Sequence, residues 1–135
     1  MKVLIDSNIL ISAALNSRGV PYQAFLKAVS YPNKGIISVQ NLEEVKRVFT
    51  RKFPQKINLL EKFLLLALQV VEVVPVPEVI SCDEELIRDI ADRPILRAAI
   101  QAKVHVILTG DKDFLEAKIK HPLIVTAVDF MNMQQ

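Results

Sequence analysis

The sequence has 135 residues, 51% of them hydrophobic, and a single cysteine. That combination fits one domain over residues 1–135 with its own core, and excludes both intrinsic disorder and an internal disulfide. Net charge is +2, but residues 1–60 carry nine Lys/Arg against three Asp/Glu and residues 61–135 carry eight against twelve. Such asymmetry points to a polyanion on one side and a cation or a basic partner on the other, an ordinary mixed surface being the bland alternative. No secretory leader is expected, because Asp6 interrupts the first apolar run. The longest later run, Phe63–Val71, falls far short of the ~20 residues of a membrane span. A soluble, cytoplasmic protein without membrane contact is expected, with Cys82 a buried or half-buried thiol in reducing surroundings.

Taken in order, Lys2–Ser12 reads as the first strand. Its opening apolar run is that of a buried parallel strand and ends on Asp6. Asn16-Ser17-Arg18-Gly19 is a loop in which Gly19 offers positive φ. Pro21 opens a helix to about Tyr31, and Gly35–Ser38 is a second strand. A helix from about Gln40 stops at Phe53, before Pro54. Its apolar face is Leu42, Val45, Val48, Phe49 and Phe53, with Glu44, Arg47 and Arg51 opposite. Asn58–Val71 is another helix. At ~100° per residue its polar positions leave roughly three-quarters of the circumference apolar. One core seldom covers so much, so a homodimer is expected, with burial inside a monomer as the alternative.

Glu72–Pro77 reads as a third strand and Asp83–Arg88 as a short helix. Asp92 is a natural N-cap for a helix with Pro94 in its first turn, running to about Lys103. His105–Thr109 is a fourth strand, leading into Gly110-Asp111-Lys112-Asp113. Leu123–Thr126 is a fifth, followed by a short terminal helix. Strand–helix alternation with short connections gives an α/β fold on a parallel sheet of four to five strands.

Five acids then stand at element ends or on an exposed helix face: Asp6, Glu44, Asp92, Asp111 and Asp113. With the first and fourth strands as neighbours, Asp6 and Asp111 meet at the carboxyl edge of the sheet, where ligands of open α/β sheets bind. Asp92 can reach the same edge. Each has a plainer role: Asp92 as a cap, Glu44 paired with Arg47, Asp111 and Asp113 as turn formers. Asp6, between Ile5 and Ile9-Leu10-Ile11, is costly without a partner. Carboxylates gathered in one pocket repel unless a cation is present, and Mg2+ or Mn2+ suits oxygen ligands. A metal so held can activate water and clamp a phosphoryl group.

These residues resemble the PIN-domain ribonuclease family. VLIDSNILISAAL is similar to its opening strand, SVQNLEEVKRVF to its second motif with Glu44 in the acidic position, DIADRPILRAAI to its third with Asp92, and ILTGDKDF to its fourth with Asp111 and the additional acid Asp113. The motifs fall in the family's order and span nearly the whole chain. Ser7 stands where Thr is common, and Pro94 lies unusually close after Asp92. The likeness is greatest to the small single-domain toxins of toxin–antitoxin pairs. It implies a three-layer α/β/α fold and a Mg2+- or Mn2+-dependent endoribonuclease that hydrolyses single-stranded RNA, commonly dimeric and restrained by a small antitoxin protein.

On that reading Asp6, Asp92 and Asp111 hold the metal, and Glu44 and Asp113 complete the catalytic pocket. Ser7, Asn8 and Thr109 orient carboxylates and water, while Arg47, Arg51, Lys52 and Lys56 are candidates for the RNA backbone. A phosphatase or dehalogenase would place a second acid at Asn8 and another at Leu115, and a receiver domain would pair acids at the first strand. Both are disfavoured. A catalytically inactive RNA- or protein-binding module that keeps the acids is the remaining alternative.

Overall fold

Val3, Leu4 and Ile5 are fully inside the protein, and they form the strand from which the rest of the sheet extends. In the computed structural model, which describes residues 1–80 and 83–134, the strands are β1 (Lys2–Ile5), β2 (Lys34–Ser38), β3 (Val71–Val74), β4 (Val106–Leu108) and β5 (Leu123–Val125). Their order is β3-β2-β1-β4-β5 and every pairing is parallel. Cys82 lies outside the described residues. Sequence order reverses on the two sides of β1, so the crevice between β1 and β4 is the topological switch point of the sheet.

Among the described residues the α-helices are α1 (Ser7–Leu15), α2 (Val20–Val29), α3 (Val39–Lys52), α4 (Ile57–Val70), α5 (Arg93–Gln101), α6 (Lys112–Leu115) and α7 (Ala127–Asn132). Alternation along the strands divides the core in two. Val3, Ile5, Ile37, Val106 and Leu108 face Leu10, Phe25, Val45, Phe49, Phe63 and Phe130 from α1–α4 and α7. Leu4, Ile36 and Ile107 face Ile95, Leu96, Ala99 and Phe114 from α5 and α6. The result is the three-layer α/β/α arrangement on an all-parallel sheet.

The expectation of a strand over Lys2–Ser12 is corrected beyond Ile5. Asp6 ends the strand in extended geometry and accepts a hydrogen bond from the Ser7 N–H, and α1 begins at once. Ile9, Leu10, Ala13 and Ala14 are buried, which is helical and not alternating spacing. The unbroken apolar run Ile9-Leu10-Ile11 hides that period. Gly19 is corrected too: its φ is −85°, and it stands at the N-cap of α2. Gly35 is required for a different reason. A Cβ there would come 2.7 Å from Val29 Cγ1, so its lack of a side chain lets α2 lie close on β2.

Helix α4 buries Leu60, Phe63, Leu64 and Ala67. Ile57 is half-buried, and the remaining apolar side chains, Leu59, Leu65, Leu66, Leu68 and Val70, are exposed, Leu65 and Leu66 by 68% and 64%. The chain itself therefore covers only part of this helix. Among the described residues no helix is long and apolar enough to cross a membrane.

Gly35→Ala should cost about 1–3 kcal/mol by overpacking, read as a lower urea midpoint at unchanged slope. Val29→Ala in the same chain should recover most of the loss. An unchanged midpoint in Gly35→Ala would show that the helix can shift at no cost.

Candidate active site at the carboxyl edge of the sheet

The site starts from Asp6, at the junction of β1 and α1. Its side chain is buried, and three elements supply its hydrogen bonds. Oδ1 accepts from the Ser7 N–H at 2.9 Å and from Asn41 Nδ2 at 2.9 Å. Oδ2 accepts from Thr109 Oγ1 at 2.7 Å. Asn41 is itself fixed: its Nδ2 also donates to Ser7 Oγ at 3.0 Å, and Ser38 Oγ donates to its Oδ1 at 2.9 Å. Ser38 caps α3 through the Asn41 N–H.

Thr109 continues the chain of contacts. Its Oγ1 accepts from the Asp111 N–H at 3.0 Å, and Asp111 Oδ1 accepts from the Asp113 N–H at 2.8 Å, capping α6. The acid after β4 is thereby tied to the acid after β1 through a single hydroxyl. Asn8 does not bond to Asp6. Its Oδ1 accepts from the Gly110 N–H at 3.0 Å, so it fixes the β4 loop instead of orienting the carboxylate.

Asp92 occupies the N-cap position of α5 without capping it, because its own backbone is helical and its side chain accepts no cap hydrogen bond. The sequence expectation of a side-chain cap is corrected here. The carboxyl turns to the other acids, and its Oδ2 is buried with no hydrogen-bond partner. Burial, then the Asp111 carboxyl beside it, push Asp92 up to about 8, with Asp6 and Asp89 adding to the effect. Burial also raises Asp6 against the lowering effect of its hydrogen bonds, and Glu44 and Asp111 raise it further. These mutual effects place Asp6, Glu44, Asp92 and Asp111 in one electrostatic neighbourhood.

A second grouping overlaps the first. Asp89, Asp92 and Asp113 each offer an oxygen, all within 4.8 Å of one another. Asp92 is common to both groupings. Asp113 is not free, since Arg88 donates to its Oδ1 through Nε at 2.8 Å and through Nη2. Half-buried Glu44 makes no salt bridge to Arg47 among the described residues. Arg47, Arg51, Lys52 and Lys56 are all exposed. Helix α3 leaves the site edge at its N-terminus, so at ~1.5 Å per residue Arg51 stands about 10 Å beyond Glu44 along the axis.

The residue set suits a hard divalent cation. The donors are carboxylate oxygens, the chemistry Mg2+ and Mn2+ take. One buried acceptor, Asp92 Oδ2, has no partner, and burial together with the neighbouring carboxylates raises both Asp6 and Asp92. Sequence reasoning missed Asn41, Asp89 and Arg88. Asn41 left a readable signal, because it continues the buried Val45–Phe49 stripe of α3 by one turn, and a polar residue on a core stripe needs a partner.

The raised Asp92 gives a signed pH prediction. Below about pH 4 the side chain is protonated in both folded and unfolded chains. As pH rises toward 8 the unfolded chain loses that proton first, so the folded state is progressively disfavoured. In EDTA the melting temperature of wild type should fall relative to Asp92→Asn between pH 5 and 8, and Mn2+ should reverse the difference. A pH-independent difference would contradict the assignment.

A PIN-domain family model matches residues 2–113. No curated protein matches the chain. Among solved structures, a chain in the Rickettsia felis VapBC2 complex, bound to a DNA fragment from their promoter, superposes with a TM-score of 0.67 at 18% identity, covering 93% of this chain and 98% of that one. Mycobacterium tuberculosis VapC20, a toxin that cleaves the sarcin–ricin loop, superposes with a TM-score of 0.60 at 16% identity, covering 87% and 95%. With the four acidic motifs in order on this fold, the chain belongs to the PIN-domain family of nucleases.

Proposed function

We propose that the protein is a Mg2+- or Mn2+-dependent endoribonuclease that cleaves single-stranded RNA, the toxin of a toxin–antitoxin pair, acting as a homodimer in the cytoplasm. The observation that carries the reading is Asp6, buried at the switch point of the sheet with acids from three other segments around it. The likeness in fold to VapC20 and VapBC2 supports RNA as substrate and a small antitoxin as partner.

In this reading Asp6, Asp92 and Asp111 hold the cation, and Glu44, Asp89 and Asp113 set the charge of the pocket around it. When bound, the ion supplies Lewis acidity for phosphodiester hydrolysis and lowers the pKa of water. The protein's own work is positional. Thr109, Asn41 and Ser7 leave Asp6 one geometry, and Asp111 is held by the same Thr109 hydroxyl. Asp92 must give up its proton to become a ligand, so loading strengthens as pH rises. Arg47 and Arg51 lie on α3 for a strand that runs outward from the pocket, with Lys52 and Lys56 beyond them. Single-stranded RNA is favoured over duplex because its unpaired bases are open to contact.

Dimerisation draws on the exposed face of α4. Leu59, Leu66 and Val70 fall on one exposed stripe and Leu65 and Leu68 on another, with Lys62 and Gln69 between; exposed apolar side chains in this number mark a protein interface, and a second copy presents the same residues to it.

Purified protein should cleave mixed single-stranded RNA with Mn2+ or Mg2+ and not in EDTA. Asp6→Asn should reduce cleavage below detection while keeping its fold. Asn41→Ala, which loosens the same carboxylate, should cost roughly 10–100-fold. Normal cleavage by folded Asp6→Asn would end the nuclease assignment, and metal binding without any cleavage would favour the binding-module alternative.

Sedimentation should give a dimer for wild type and a monomer for the double variant Leu65→Asp, Leu66→Asp. A wild-type monomer at working concentration would remove the dimer.

A further inference from the structure

A nuclease of this kind has a charge problem at its own entrance. Asp6, Glu44, Asp89, Asp92, Asp111 and Asp113 share one edge, and an RNA phosphate must come up to them. The basic residues of α3 recede from that edge as the helix runs on. Two other arginines nearby are committed: Arg93 Nε donates to the Ile87 carbonyl at 2.9 Å, and Arg97 Nε lies 2.8 Å from Glu84 Oε2.

Arg88 is different. Its guanidinium lies directly on the acidic group, holding Asp113 Oδ1 with two nitrogens and standing 3.6 Å from Glu116 Oε2. The side chain is 75% exposed, so it is fixed by charge and not by packing. It precedes Asp89, a member of the Asp89–Asp92–Asp113 group. It also lines a surface depression of about 230 Å³ with Leu86, Asp113, Glu116 and Ala117. A guanidinium that grips a carboxylate with two N–H groups presents the same fork to a phosphate.

We propose that Arg88 is the residue that grips the phosphate of the RNA strand at the rim of the pocket, and that in the ion-free protein it is parked on Asp113. This rests on the nuclease reading above and adds to it a specific substrate contact. A cation bound among the acids takes over the neutralisation of Asp113. Arg88, exposed and unpacked, is then released toward the incoming polyanion. Ion and substrate are thereby ordered: the site gains its free arginine once its acids are satisfied.

The test separates binding from cleavage. A short labelled mixed-sequence single-stranded RNA is titrated with protein in Ca2+ across a range of KCl concentrations, with RNA integrity checked on a gel. Arg88→Gln should bind roughly tenfold more weakly, and the slope of log affinity against log salt should shrink by about 1. Arg88→Lys should recover most of the slope and less of the affinity, because it keeps the charge and loses the fork. Mn2+ alone, titrated calorimetrically, should bind Arg88→Gln more tightly than wild type, since Asp113 no longer has a competitor. If wild type binds the RNA and Arg88→Gln binds it with the same affinity and slope, the proposal fails and the nuclease reading stands. Tighter Mn2+ binding with unchanged RNA binding would make Arg88 a counter-ion only, and would overturn it equally. A wild type that binds no RNA at any salt concentration would remove both.

Discussion

Everything at the functional edge depends on the cost of burying the Asp6 carboxylate. A charge in the interior is tolerated when its oxygens are hydrogen-bonded and a compensating charge is near. Here the hydrogen bonds come from α1, from α3 and from the residue after β4. Those three segments are far apart in sequence and can meet only if β1 lies between β2 and β4, the order the sheet has. One carboxylate thus makes local demands that coincide with the topology, which is the kind of agreement across levels that singles out one fold. The hydrogen bonds answer the cost only in part, because burial and the neighbouring acids still raise Asp6.

The other acids are handled by placing them where chain direction helps. Asp6, Asp89 and Asp111 each stand before a helical turn and accept from its first N–H groups. Asp92 stands at the same kind of position and forgoes the cap. It is also pushed up to about 8 by burial and by the Asp111 carboxyl, and it is the acid with an orphaned buried oxygen among the described residues. A side chain that gives up an available hydrogen bond and accepts unfavourable surroundings adds little to an ion-free fold. On the metal-dependent reading proposed above, a cation among the acids would account for its placement. Stability and function pull in opposite directions at this residue, as they commonly do at strained sites.

Much of this was legible in the residues. The five strands, the major helices and the convergence of Asp6, Asp92 and Asp111 follow from apolar runs, proline and acid positions, and the motifs in order. What was not legible has physical causes. Ile9-Leu10-Ile11 is apolar at every position, so period 2 and period 3.6 cannot be told apart there, and the start of α1 reads as a continuation of β1. Gly19 sits in a loop, but loop glycines need not use positive φ. Asn41 was passed over because a hydrophilic residue on a charged helix looks solvent-facing; only its register with Val45 and Phe49 marks it as buried. Arg88 was passed over because its role comes from proximity to Asp113, 25 residues away, and no local pattern encodes that.

The uneven charge of the two halves of the chain now has a spatial meaning, and α3 is where the halves meet. Its N-terminus, capped by Ser38, delivers Asn41 and Glu44 to the acid edge. Its last turn carries Arg51 and Lys52, where cations complement the helix dipole irrespective of any ligand. Those two residues therefore have a structural reason to be basic. Arg88 has none of that kind: it ends no helix, and its contacts are the acids themselves. If the protein is the nuclease proposed above, a cation explained only by the acidic cluster is the stronger candidate for contact with the reacting strand. On the proposed reading, the α3 stripe is left the more general task of holding RNA further out, through screened interactions that fade with salt.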